Sequence, residues 1–454
     1  MSRSRPRSSE RKPFEADGWT VKAAPDRTTR FVFWTGASVA AAQAIAAVIG
    51  LVSAHALGAE GRGIVSGLTT WSAMLAFVTL AGLQSAASVA VATNPQRALS
   101  SVLGNALAYV VVIGGTVMLV ALVFLPDLLS KLGPGARRVI PLALLSVPVC
   151  LAFEVLASVN IALDRVRQYG LARLVGPGVV LAVVLALWFT GAMTPGWVVG
   201  LTTFGAFLGT VVLALGLPWR RVRLDLAALG HDLRFGLRTH LGTLMGMANL
   251  RLDVMVMAAI LTATQVGLYS VATSAMIPIE ALSVAGALHV LPAVARLGPA
   301  SAAEQTVVRS QLDYIRRTAR THVAMAAVVG LGVFVCAPLI VGLLGPSFHD
   351  AVGPLRVLVA GYVARGCSLV VNAGAIGMGR AWVANAAEGA ALLTTLVMLP
   401  VLLPKHGALG AAITSSCAYT LSALVGAALL YHLGRSWQHG HGSGAASALR
   451  PIQP

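Results

Sequence analysis

Residues 63–70 read Gly-Ile-Val-Ser-Gly-Leu-Thr-Thr, and residues 267–274 read Gly-Leu-Tyr-Ser-Val-Ala-Thr-Ser. The two octets lie 204 positions apart, and each opens a long apolar stretch just after a short break. A fainter echo sets Asn160 and the turn holding Arg167 against Asn372 and the turn holding Arg380, at offsets of 212 to 213. Each match alone is weak in a chain rich in Ala, Gly, Val and Leu. Their shared order and equivalent places point to a duplicated unit.

The unit is too apolar for water. Hydrophobic residues make up 57% of the 454 and charged residues 11%, with a mean hydropathy of +0.81, whereas soluble domains carry about 25% charged residues. Apolar runs near 20 residues cross a bilayer as helices, and twelve are present, at roughly 32–57, 64–92, 103–126, 139–162, 170–190, 196–217, 239–262, 265–292, 321–343, 351–378, 381–403 and 409–433. The pattern predicts an all-α polytopic membrane protein of about 12 transmembrane helices. Two parallel six-helix repeats, related by an axis along the membrane normal, make two lobes around a central cleft. The expected divisions are a disordered basic cytoplasmic tail (1–30), an N-lobe (31–217), a cytoplasmic linker (218–238), a C-lobe (239–433) and a flexible cytoplasmic tail (434–454). The linker, beginning Trp219-Arg220-Arg221-Val222-Arg223, and the segment 293–320 read as amphipathic helices on the inner surface.

Orientation follows from the basic residues. With the amino terminus in the cytoplasm, inner segments hold 25 Lys and Arg and outer loops hold 5, namely Arg62, Lys131, Arg137, Arg138 and Lys405. Arg251, Arg356 and Arg365 fall inside predicted helices. Positive residues accumulate on the cytoplasmic side, so the expected location is the plasma (inner) membrane, multi-pass, with both termini cytoplasmic. The formal charge of +17 then reflects topology and contact with anionic membrane lipid, about 1 kcal/mol per basic residue near the surface. No aromatic or Gly-rich RNA motif accompanies it, so no nucleic-acid partner is expected.

No catalytic constellation is present. The first outer loop has only Glu60, and the loop 127–138 has only Asp127, so paired acids for glycosyl transfer are missing. P-loop, GxSxG and HExxH motifs are absent. Cys150, Cys336, Cys367 and Cys417 lie in apolar segments without CxxC spacing and read as packing residues. His439 and His441 sit in a Gly/Ser-rich tail and read as a solvated linker. Neither an enzyme nor a metal site is expected. A carrier remains, passive or coupled to H+ or Na+.

Ionisable residues inside the spans single out candidate positions, because a central Arg or Asp costs about 2.5–3.5 kcal/mol on insertion scales. The seventh run carries Arg251 and Asp253. Two residues apart on a helix, they point about 200° apart, while Asn249 and Asp253 share a face. Glu280 lies mid-span in the eighth run and Arg365 in the tenth. Glu388 lines up with Asn385 and Thr395 in the eleventh. Such groups serve either as ion pairs between helices or as part of a transport path.

Residues 228–297 contain a basic entry Leu-Arg-Phe-Gly-Leu (233–237), Arg-Leu-Asp (251–253), Val-Gly-Leu-Tyr-Ser (266–270) and Pro292. This stretch resembles the start of the second lobe in polysaccharide (oligosaccharide) flippases of the multidrug/oligosaccharidyl-lipid/polysaccharide exporter superfamily. Residues 404–435, with Gly-Ala-Leu-Gly-Ala-Ala at 407–412, and the stretch LGAEGRGIVSGLTTWSAML from Leu57 are similar to that family as well. The resemblance implies a flippase that carries a polyprenyl-diphosphate-linked glycan to the outer leaflet by alternating access, for cell-surface or exopolysaccharide biosynthesis. A glycan polymerase and glycosyltransferases are the protein partners that fit it. On that basis Arg251, Arg365 and Asn249 are candidates for substrate binding, and Asp253, Glu280 and Glu388 for ion coupling. The alternatives are a cation-coupled multidrug exporter of the same superfamily and a non-transporting membrane scaffold for glycan assembly.

Overall fold

A computed structural model describes residues 25–298 and 305–438, so His439, His441 and the expected tails beyond residues 25–30 and 434–438, which are helical, lie outside the described residues. The first half holds α1 (Pro25–Leu80), α2 (Leu83–Thr93), α3 (Pro95–Tyr109), α4 (Gly115–Leu128), α5 (Pro134–Leu144), α6 (Ser146–Ala162), α7 (Val166–Phe189) and α8 (Pro195–Ala214). The second half holds α9 (Leu226–Ile260), α10 (Ala263–Ser274), α11 (Ile277–Arg296), α12 (Gln305–Gly342), α13 (Val352–Gly377) and α14 (Ala381–Gln438). Among the described residues there is no β-strand.

Ten helical segments are long and apolar enough to cross a membrane. Two of them, Trp34–Leu80 with 47 residues and Ala381–Arg435 with 55, far exceed the roughly 20 residues one crossing needs. Each is broken by a glycine in the left-handed region, Gly58 (φ 65°) in α1 and Gly407 (φ 53°) in α14. A residue with a Cβ enters that region only with strain, so these two positions turn the chain in place of a loop. The helices are thereby compatible with the twelve crossings expected from hydropathy.

The helix resumes at once after Gly58, which corrects one sequence expectation. Arg62 does not belong to an outer loop but lies within α1, one turn beyond the break. The two segments expected as helices on the inner surface are not separate helices either. Residues 226–238 are the first turns of α9, and residues 305–320 are the first turns of α12, each continuous with its span.

The repeated octets meet in space. A Cβ on Gly63 would run into the carbonyl oxygen of Ala263, and a Cβ on Gly267 would run into that of Ala59. Ala59 and Ala263, like Gly63 and Gly267, are 204 positions apart, so the contact is reciprocal in the manner of a two-fold axis. Gly-to-Ala substitution ordinarily favours a helix by about 1 kcal/mol. Here the neighbour is backbone of another helix, and overpacking costs about 1–3 kcal/mol. Gly63→Ala and Gly267→Ala are therefore expected to lower the unfolding temperature in detergent; a rise in either would mean that α1 and α10 separate freely.

A second seam joins the halves where the later part of α1 runs beside α9. Trp71 Nε1 donates to the Met255 carbonyl at 3.1 Å. His240 Nε2 lies 3.0 Å from the Phe77 carbonyl, and the two rings are 4.8 Å apart. Toward the start of α9 Gly236 packs on the backbone of Gly82. By contrast, α1 and α11 hardly meet.

Candidate functional site

Of the ionisable residues singled out in the spans, Asp253, Glu280, Arg365 and Glu388 join polar networks inside the second half of the chain. Asp253 is 2% exposed and its Oδ2 accepts hydrogen bonds from the Tyr269 hydroxyl and from Ser415 Oγ, the latter at 3.0 Å. Its Oδ1 accepts the Val254 amide at 2.7 Å. Three donors from three helices or their backbone satisfy a carboxylate that water cannot reach, as a buried acceptor requires. Tyr269 belongs to the second octet, so the repeat supplies part of the site.

Asn249 lies one turn before Asp253 and on the same face of α9, as the spacing predicted. Its Nδ2 donates to the Glu388 carbonyl at 2.9 Å and to Glu388 Oε2 at 2.7 Å. From α13, Asn372 Nδ2 donates to Glu388 Oε1 at 3.1 Å. The Ser368 and Ser422 hydroxyls, 2.7 Å apart, extend the chain of polar groups. The Oδ1 atoms of Asn249 and Asn372 are buried and have no hydrogen-bond partner. Unpaired buried acceptors beside a carboxylate are unfavourable unless a cation or a donor meets them.

Glu280 and Arg365, both candidates, face each other across α11 and α13. Arg365 Nε donates to the two carboxylate oxygens at 3.1 and 3.3 Å, and Nη2 donates to Oε1 at 3.2 Å. The guanidinium carbon stands 5.1 Å from the centre of the Tyr419 ring, a cation–π arrangement, and Tyr419 packs edge-on against Tyr362. Arg365 is thus engaged by a carboxylate of its own half.

Arg251 makes no hydrogen bond or ion pair with these groups among the described residues, but its charge lies within electrostatic range of Asp253 and Tyr362. It is exposed, with no carboxylate partner among the described residues. At 3.6 residues per turn it falls within about 40° of His240, Met255 and Ala258, the residues of α9 that meet the first half of the chain. Asp253 points the other way, as the two-residue spacing required.

Arg62 was not among the residues selected from the sequence, and it lies on the boundary between the halves. Its Nη1 is 3.5 Å from Ser53 Oγ in α1, and its Nη2 is 3.5 Å from Ser274 Oγ in α10. Its Nε is buried without a partner, and no carboxylate pairs with it among the described residues. Ser415 and Asn372 were also passed over as site residues. Asn372 had a signal, the echo with Asn160; Ser415 had none, since a serine in an apolar helix is more often a packing residue.

The helical plan is that of transporters of the MOP superfamily. The lipid II flippase MurJ in an inward closed conformation is 12% identical, with 89% of this chain and 87% of that chain covered at a TM-score of 0.71. An inward-facing multidrug resistance MATE family transporter is 14% identical, with 87% and 95% covered at 0.65. A MOP superfamily transporter from Pyrococcus furiosus is 14% identical, with 91% and 96% covered at 0.57. At such identities the likeness concerns the fold. No curated protein matches the sequence. The chain belongs to the polysaccharide biosynthesis protein family, whose profile matches residues 57–353.

Proposed function

We propose that this chain is a flippase that moves a polyprenyl-diphosphate-linked glycan from the cytoplasmic to the outer leaflet, without covalent chemistry. The observation that carries this reading is a polysaccharide biosynthesis family membership on a transporter fold whose similar structures include a lipid II flippase. The bias of 25 inner to 5 outer-loop basic residues read from the sequence supports an inner-membrane orientation with cytoplasmic termini, and moving Arg62 into a helix strengthens it. The six-plus-six division into lobes at 31–217 and 239–433 is supported by the reciprocal contact of the octets. A glycosyltransferase and a polymerase acting on the same lipid carrier are the natural partners.

Of the two arginines expected at the diphosphate, Arg251 is unpaired and exposed on the side of α9 that meets the first half. Arg365 is held by Glu280 and joins only when that pair opens. Guanidinium groups match phosphate oxygens geometrically, so Arg251 takes the headgroup role. Asn249 belongs with Glu388 rather than with the glycan. The unpaired Asn249 and Asn372 oxygens around Glu388 favour this carboxylate as the coupling position for a small cation; Glu280 is neutralised by Arg365, and Asp253 already has its donors.

Outward movement of a lipid-linked sugar in vesicles bearing the purified protein tests both assignments. Arg251 is exposed, so its contact with phosphate is worth about 1 kcal/mol at most, and Arg251→Ala is expected to slow the movement about threefold to fivefold. In the same vesicles Glu388→Gln is expected to abolish the response to an imposed Na+ gradient. Movement of organic cations instead of the sugar would replace the flippase reading with a multidrug exporter, and movement of neither would leave the scaffold.

A further inference from the structure

We propose that the groove between α12 and α14 is a binding site for an anionic glycerophospholipid of the inner leaflet. A cavity of about 900 Å³ runs between these helices over a floor that includes Cys367 and Val371 of α13. On α12 its wall follows helical spacing: Arg309, Arg316 and Arg320, then Ala324 and Ala327. Beside the arginines, Val308, Ile315 and Ala319 form the buried inner edge of the same wall, while Gln311 and His322, buried outside the cavity lining, belong to the face of α12 that packs. Facing the arginine stripe, α14 presents Ala427 at one end and Arg435 at the other.

Both walls therefore grade in the same direction, cationic toward the cytoplasm and small and apolar toward the bilayer centre. That is the profile of a lipid lying with its headgroup inward. Four arginines line the groove against a single carboxylate, Asp313, and Arg309, Arg316 and Arg320 form no ion pair among the described residues. A zwitterionic lipid would leave this excess positive charge unmatched, whereas a phosphodiester carrying net negative charge neutralises it. Basic pockets between helices on the cytoplasmic side recognise anionic headgroups in this way. α12 packs on α11 and α13 and makes no substantial contact with the first half of the chain, so the groove lies outside the boundary between the halves. That position favours a resident membrane phospholipid over the transported molecule, and the site stands whether or not the glycan reading is correct.

The test is lipid retention by the full-length detergent-solubilised protein, read by native mass spectrometry with phosphatidylglycerol, phosphatidylcholine or undecaprenyl phosphate added. The native protein is expected to retain phosphatidylglycerol at least tenfold better than phosphatidylcholine. The Arg316→Gln/Arg320→Gln variant is expected to lose that preference with an unchanged circular dichroism spectrum. Ala327→Trp, which fills the apolar end and leaves every charge in place, is expected to reduce retention of both phospholipids. A native protein without headgroup preference, or variants that keep it, would overturn the site. Undecaprenyl phosphate displacing phosphatidylglycerol would assign the groove to the carrier lipid instead and overturn the phospholipid assignment.

Discussion

Glu280→Gln is expected to lower the unfolding free energy by about 3 kcal/mol, because it leaves the Arg365 guanidinium charged and unmatched between α11 and α13. Removing one partner of a buried ion pair costs about 3–5 kcal/mol. The side chain of Glu280 is 25% exposed and that of Arg365 10%, so water screens part of the loss and the low end applies. Tyr419 does not replace the carboxylate: an aromatic face contributes about 0.5–2 kcal/mol to a cation, and it is already in contact. Arg365→Met should be milder, since the remaining carboxylate has more access to water. The double variant, Glu280→Gln with Arg365→Met, should recover most of the loss, because a matched pair of neutral groups replaces a matched pair of charges. Denaturant unfolding of the four proteins in one detergent decides the matter. A double variant as unstable as Glu280→Gln alone would show that the stability comes from packing rather than from charge balance.

Arg62→Met is expected to act in opposite directions on stability and on transport. The guanidinium reaches across the boundary between the halves, yet it touches only two hydroxyls at 3.5 Å, long for a hydrogen bond whose usual length is near 2.9 Å. Arg62 is half-buried, with its Nε cut off from water, and a charge so placed without a counter-charge is destabilising. Methionine has similar length and no charge, so the variant should melt at a higher temperature than the native protein. Transport should fall about 10- to 100-fold, since a charged hydrogen bond in a water-poor site contributes about 1.5–3 kcal/mol and each 1.4 kcal/mol is a factor of ten. This exceeds the loss expected for the exposed Arg251, because the same contact is stronger where less water reaches it. Unchanged lipid-linked sugar movement in the Arg62→Met vesicles would exclude a role in the path. A lower melting temperature would show that the two serines, weak as their contacts are, stabilise the native charge.

Much of the site was legible along the chain wherever one helix alone set the geometry. The 200° between Arg251 and Asp253 follows from helical pitch, and the structure places one on the exposed side and the other among Tyr269 and Ser415. The common face of Asn249 and Asp253 was legible for the same reason. What could not be read was any partner from another helix. Nothing in residues 381–403 says that Glu388 will meet Asn249, 139 positions earlier, nor does the tenth span announce that Arg365 will lie against Glu280. Arg62 was misplaced because a hydropathy profile registers the polar run Glu60-Gly61-Arg62 as a loop. One glycine at φ 65° is enough to kink the helix without one.

Sequence alone determined that this protein lives in lipid and that its apolar runs are long enough to cross it as helices, and it set the expectation of two related halves with the basic side toward the cytoplasm. Those properties depend on composition, length and periodicity, which act through the solvent and along the chain. The tertiary structure decided which buried charges are neutralised and which remain free. That choice depends on electrostatic contacts a few ångströms long between helices far apart in sequence, and only their packing brings those side chains within range.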